Sequence, residues 1–261
     1  MHLETCVKPP TLRAVIFDVD GTLADTENVH RAAFNAAFAE SGLDWHWDEA
    51  LYTRLLEISG GKERIAHYWK QLRPDYPASQ PDVVADTVQR LHRLKTAVYS
   101  RLVADGALQL RPGIRQLIES AQAAGLRLAI ATTTTPANIE ALLHSALGAG
   151  WKARFEVIED AATAPCKKPH PQVYLQTLQR LDLEAPACLA LEDSANGLQA
   201  ATRARVPVIV TPNAYTAHQD FSAALRVVPS LEGVTATDLR AWHAMATRPA
   251  QIAATLDACH T

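Results

Sequence analysis

The sequence predicts an α/β fold: a doubly wound, Rossmann-like parallel sheet with a helical cap inserted after its first strand. Two observations carry this. Short, mostly apolar runs recur at 13–17, 126–131, 155–158, 188–191 and 206–210, with amphipathic stretches between them. Strands covered on both faces read as unbroken apolar runs, and helices between them make parallel pairing the natural connection. The second observation is a stretch, 27–110, that has no strand-like run but several helical patterns. The expected division is therefore a core of residues 1–25 and 111–261 and a cap of residues 26–110, which suits a chain of 261 residues.

The elements follow in order. The first strand stops at Asp18. In the cap, Val29, Ala33, Phe34, Ala37 and Phe38 recur at helical spacing before Gly42, and Val84, Val88, Leu91, Leu94, Val98 and Leu102 do so later. Arg111, Pro112 and Gly113 return the chain to the core. Core helices are expected at 113–124, 136–146, 171–181 and 195–205, with Pro or Gly marking most of their ends. The segment 236–258 reads as a peripheral helix without chemistry.

Composition narrows the function. A hydrophobic share of 48% is enough for a packed core, and a net charge of -3 with no dense Lys/Arg run argues against nucleic acid and membrane as partners. A small acidic molecule needs only a few local cations. Cys6, Cys166, Cys188 and Cys259 lack both CxxC spacing and the density of a disulfide scaffold. The opening residues, MHLETCVKPPTLR, hold no apolar run of the signal-peptide kind, and none elsewhere reaches membrane-span length. The expectation is a cytoplasmic monomer. No GxGxxG loop follows a strand, so a dinucleotide is not indicated.

The chemistry gathers at strand ends. Asp18 and Asp20 stand two apart where the first strand stops, a spacing that puts carboxylates on one face at the end where open α/β sheets bind ligands. Two acids so close repel each other unless a cation is near, which makes a divalent metal plausible. An isolated DxD would more often be an ordinary turn. Here it lies in Asp18-Val19-Asp20-Gly21-Thr22, and Thr132 ends the next strand-like run. Lys168 follows in Lys167-Lys168-Pro169-His170-Pro171, and the pair Glu192-Asp193 opens Glu192-Asp193-Ser194-Ala195-Asn196-Gly197.

These four segments, in this order, resemble the motifs of the haloacid dehalogenase-like (HAD) hydrolase superfamily. The resemblance implies Asp18 as a nucleophile that takes up a phosphoryl group and Asp20 as general acid/base. It implies Thr132 as a donor to the phosphoryl oxygens and Lys168 as the cation beside them. It also implies Mg²⁺, held by Asp18, the Asp20 carbonyl, Glu192 and Asp193. Lys167 is the less favoured occupant of the lysine position, and Thr133 is a further candidate for substrate contact.

The cap adds a turn, Gly60-Gly61-Lys62-Glu63-Arg64, that opens a helix. Helix-start amides favour an anion, and Lys62 and Arg64 offer charge; a plain helix connection with solvated side chains fits about as well. With Leu43-Asp44-Trp45-His46-Trp47, this segment looks like CbbY proteins, phosphatases of xylulose 1,5-bisphosphate, a by-product of the CO₂-fixing enzyme. That implies a small phosphorylated sugar as substrate, contacted by Asp25, Gly61, Lys62 and Arg64. His30 and His67 read as packing or surface residues, and Trp45 and Trp47 as cap core or pocket wall. β-Phosphoglucomutase and phosphoglycolate-type phosphatases share the core motifs and are the rival readings.

Overall fold

The computed structural model describes residues 10–75 and 80–246. Six strands form one sheet: β1 (Ala14–Phe17), β2 (Arg127–Ala131), β3 (Val157–Glu159), β4 (Cys188–Glu192), β5 (Val208–Val210) and β6 (Arg226–Val227). Their order is β3-β2-β1-β4-β5-β6, and every pairing is parallel. Between β1 and the rest of the core come α1 (Glu27–Glu40), α2 (Glu49–Leu55), α3 (Gly61–Leu72) and α4 (Pro81–Ala104). The core helices are α5 (Ile114–Ala123), α6 (Pro136–Leu147), α7 (Gln172–Leu181), α8 (Ala195–Arg203) and α9 (Ala236–Ala246).

The unbroken apolar runs are explained by two covered faces. Val15 and Phe17 of β1, with Leu128, Ile130, Leu189 and Leu191, face a layer closed by α5, α6 and α9. Ala14 and Ile16, with Ala129, Ala131 and Ala190, face a second layer closed by α7 and α8. Strand order reverses at β1, so the crevice at the carboxyl ends opens beside Asp18.

The insertion has its own aromatic centre. Phe34, Phe38, Trp47, Tyr52, Ile65 and Leu91 pack together, with Trp47 centred 4.7 Å from the Phe34 ring and 4.8 Å from Phe38. Each fully buried phenylalanine contributes roughly 1.5–3 kcal/mol to holding these helices together, while Ala33, Val98, Tyr99 and Val103 pack into the first core layer. Trp45 and Trp47 belong to this core, with Trp45 packed on Phe38, Tyr68 and Trp69. The chain crosses between core and insertion twice, and Arg111 joins the crossings. Its guanidinium donates to the carbonyls of Gly21 (2.5 Å), Thr211 (2.8 Å) and Pro212 (2.9 Å).

Three expectations change. The sheet gains β6, two exposed residues with no apolar run to announce them. The last helix is not peripheral: Ala236 and Leu239 are buried in the first layer, and Arg240 donates to the carbonyls of Leu12 and Ala124. Its expected continuation past residue 246 lies outside the described residues, as do Cys6 and Cys259. Third, the buried face of α4 holds His92 and Lys95 among its apolar residues. Cys166 is exposed and Cys188 buried, both as free thiols. Among the described residues no helix is long and apolar enough to cross a membrane.

Candidate active site

Asp18 continues the β1 ladder, its amide donating to the Leu191 carbonyl at 3.0 Å, and this holds its buried carboxyl at the crevice. Lys168 arrives from the loop before α7. Its Nζ donates to Asp18 Oδ1 at 2.6 Å, to Glu192 Oε1 at 2.6 Å and to the Ala131 carbonyl at 2.9 Å. One ammonium thus joins the ends of β1, β2 and β4. Tyr174 on α7 donates a short hydrogen bond to the same Glu192 oxygen. Asp193 accepts from Asn213 Nδ2 at 2.8 Å, and Thr22 Oγ1 lies 3.5 Å from both Asp18 and Asp193.

Two glycines make this density possible. Gly21 has φ +81, and a Cβ there would lie 2.2 Å from Asp193 Oδ2. A Cβ on Gly197 would lie 1.9 Å from Glu192 Oε2. Any side chain at either position would displace the acid pair.

Carboxylates outnumber cations here. Asp18, Glu192 and Asp193 each offer an oxygen within 4.8 Å of the others. Burial, with the negative charges of Glu192 and Asp20, pushes the Asp18 carboxyl up to about 7 despite Lys168. Burial and the charges of Asp18 and Glu192 likewise raise Asp193 well above the carboxylate range. For Lys168, burial is outweighed by Asp18 and Glu192, and its ammonium is held above the usual lysine value. Glu192 Oε2 is buried without a hydrogen-bond partner. An all-oxygen set with surplus negative charge and an unpartnered oxygen fits a hard divalent cation.

Asp20 heads a second cluster. His30 Nε2 lies 2.9 Å from Asp20 Oδ1, and Lys95 Nζ lies 2.7 Å from His30 Nδ1. The ammonium can only donate, so Nδ1 accepts and Nε2–H donates to Asp20. The His30 ring stacks on Tyr99 with centroids 4.2 Å apart. Burial and the Lys95 charge push His30 down, and burial pushes Lys95 down to about 7. Burial alone would raise Asp20, but His30 holds it below its ordinary value. His30, read from the sequence as a packing or surface residue, is buried on Tyr99 and also contacts Asp20, and Lys95 was not singled out at all. The available signal was a titratable side chain on an apolar stripe: His30 precedes Phe34 by four, and Lys95 follows Leu91 by four.

A pocket joins these clusters to the insertion. Thr132 and Thr133 line it from the end of β2, while Thr135 caps α6 by accepting from the Asn138 amide. From the insertion come Glu27, Gly60, Gly61, Arg64 and His92. Glu27, unremarked in the sequence, accepts from Tyr52 Oη at 2.8 Å. Arg64 is buried, and each of its guanidinium nitrogens donates within the insertion, to the carbonyls of Leu55 (3.0 Å) and Ile58 (3.2 Å) and to Tyr52 Oη (3.3 Å). It braces the turn it was expected to arm. Asp25 and Lys62 are not brought to the pocket lining: Asp25 is exposed, with Oδ1 3.3 Å from Arg111 Nε, and Lys62 is exposed at the start of α3.

The family model of haloacid dehalogenase-like hydrolases matches residues 12–205. The chain belongs to that family. Within the HAD hydrolases it is 56% identical, over 220 residues, to the plasmid CbbY protein of Cupriavidus necator, covering 84% of this chain and 86% of that protein. The crystal structure of CbbY from Rhodobacter sphaeroides in complex with phosphate superposes with a TM-score of 0.75 at 44% identity, covering 84% of this chain and 95% of that one. A mutant of that CbbY, solved with xylulose-(1,5)bisphosphate, matches at 43% identity with the same TM-score of 0.75 and coverages of 84% and 95%. This HAD hydrolase is a phosphatase.

Proposed function

We propose that this phosphatase acts on sugar phosphates through a phosphoryl group carried on Asp18, and that its substrate is xylulose 1,5-bisphosphate, converted to xylulose 5-phosphate and phosphate. The observation that carries it is one pocket with the Asp18, Lys168 and Glu192 cluster on its core side and the Gly60-Gly61 turn on its insertion side. The choice of sugar follows the CbbY relative solved with that bisphosphate.

In this reading a carboxylate oxygen of Asp18 forms a bond to the C1 phosphorus as the bond from phosphorus to the sugar oxygen breaks. The leaving oxygen takes a proton from Asp20, which must first take one up, since His30 holds the resting carboxylate below its ordinary value. Water then attacks the same phosphorus, returns that proton to Asp20 and frees Asp18, so atoms and charge close over the cycle. Lys168 balances charge on the transferring oxygens, and Thr132 donates to them without adding charge. The 2.6 Å contact from Lys168 to Asp18 supports the roles of those two residues, the place of Thr132 in the pocket lining supports its own, and the Asp20–His30–Lys95 chain supports a fixed place for the proton carrier. Mg²⁺, held by Asp18, Asp193, Glu192 and the Asp20 carbonyl, would supply positive charge against the phosphoryl oxygens. Residues 26–110 act as a cap over a core of residues 1–25 and 111–261, in a monomeric, cytoplasmic enzyme.

The test is phosphate release across sugar mono- and bisphosphates with Mg²⁺ present. Xylulose 1,5-bisphosphate should be preferred clearly over β-glucose 1-phosphate and phosphoglycolate. Interconversion of glucose 1-phosphate and glucose 6-phosphate faster than phosphate release would establish a mutase instead, and a preference for phosphoglycolate would remove the sugar.

A further inference from the structure

We infer that Lys167 is a specificity-determining residue: from the core side of the pocket it binds the substrate phosphate farthest from Asp18, exchanging Glu63 for that phosphate. The inference rests on the bisphosphate reading above and names a residue that reading leaves unused.

Adjacent lysines diverge here. Lys168 points down to Asp18 and Glu192 and is held by three contacts, whereas Lys167 lines the same pocket and reaches toward the insertion. Its Nζ lies 3.6 Å from Glu63 Oε2, beyond a hydrogen bond, with the Lys167 side chain 19% exposed and that of Glu63 46%. An ion pair of that length and exposure is weak and readily exchanged. A phosphate, with more charge and three acceptor oxygens, would outcompete one carboxylate.

The glycine turn is shaped around this lysine. A Cβ on Gly60, whose φ is +97, would lie 2.6 Å from Lys167 Cδ, so the stem of Lys167 runs against the bare backbone. On the other side, a Cβ on Gly61 would lie 2.8 Å from the His92 ring. From the core, Asn196 Nδ2 fixes the approach to the turn by donating to the Glu57 carbonyl (3.1 Å) and Ser59 Oγ (3.3 Å).

The other cations are committed or misplaced. Lys95 is buried against His30, and each guanidinium nitrogen of Arg64 already donates within the insertion. Lys62 is exposed and absent from the pocket lining. His92 is kept neutral by burial and by the charges of Lys95, Lys62 and Lys167, so it can hydrogen-bond but brings no charge. Among the described lining residues, Lys167 is the cation held most loosely, by a 3.6 Å contact with Glu63, and so the one best placed to meet a second phosphate.

Steady-state kinetics on xylulose 1,5-bisphosphate and on xylulose 1-phosphate, which lacks the distal group, test this. Lys167→Met should raise KM for the bisphosphate by roughly 10- to 100-fold, and KM for the monophosphate far less, because only one substrate loses a charged hydrogen bond. Lys167→Arg should restore most of the difference. Glu63→Gln, which frees the lysine, should lower KM for the bisphosphate alone. Equal changes on both substrates, or none, would overturn the assignment. Should Lys167→Met fail to fold, the Arg and Glu63→Gln variants decide by the same split. The wild-type arm is separate: without a preference for the bisphosphate, the substrate reading itself falls, whatever the variants do.

Discussion

The two walls of the pocket handle buried charge in opposite ways. On the sheet side, Asp18, Glu192 and Asp193 crowd one another around a single ammonium, and burial leaves two of them with raised carboxyl values. On the insertion side the partners are local: Arg64 donates to backbone carbonyls, Lys95 to His30, and half-buried Glu27 accepts from Tyr52, although burial still pushes Lys95 down to about 7. The core wall crowds carboxylates whose repulsion a ligand or cation can relieve, while the insertion wall holds no such cluster of like charges and serves more as scaffold. Damage should therefore separate by wall, with lost turnover on one side and lost stability on the other.

The sharpest test is Asp18→Asn. The amide is nearly isosteric but a poor nucleophile, so turnover should fall to background while Tm does not drop. Measurable single-turnover phosphate release by that variant would end the assignment. Asp20→Asn comes next, with a loss of roughly 10²- to 10⁴-fold in kcat for want of a proton carrier. A near-normal kcat would place acid/base work elsewhere.

Cation binding reads the repulsion on the core wall directly. The metal-free fold holds protons on Asp18 and Asp193 more tightly than the unfolded chain does. Between about pH 4 and 7 these groups therefore subtract stability as pH rises, since the native state binds more protons there. Mg²⁺ competes with those protons. Its stabilisation should grow with pH, giving a larger Tm increment at pH 8 than at pH 5.5 by calorimetry, and activity should vanish in excess chelator and return with Mg²⁺. A pH-independent increment would exclude these carboxylates as the ligands.

The smallest effect on chemistry is expected at Arg64. Arg64→Ala removes a buried side chain and its hydrogen bonds to the Leu55 and Ile58 carbonyls and Tyr52 Oη, so a loss of roughly 1–3 kcal/mol in stability should appear in urea unfolding. Its KM change should be alike for bisphosphate and monophosphate. A selective rise for the bisphosphate would return Arg64 to the substrate.

Where the reacting acids lie was legible because it is a local property. An apolar run that stops at an acid ends a buried strand, and strand ends in a doubly wound sheet share one crevice whatever the loops do. Asp18, Thr132 and the Glu192-Asp193 pair could thus be placed together from their positions in the chain, with Lys168 following from the resemblance. Helical segments carry no such landmark. A position on α1 meets one on α4 only through packing, so the contact of His30 with Lys95, 65 residues apart, is invisible in either segment alone. Side-chain reach is equally non-local. Arg64 and Lys62 sit in one turn with similar charge, yet one is buried against carbonyls and the other is in solvent. By itself the sequence determined the first five strands, the helical stretch between β1 and β2 and the motif acids, because periodicity and strand ends are written in neighbouring residues. Only the tertiary structure decided which cations reach the pocket, because that depends on which backbone carbonyls and carboxylates packing brings within hydrogen-bonding distance first.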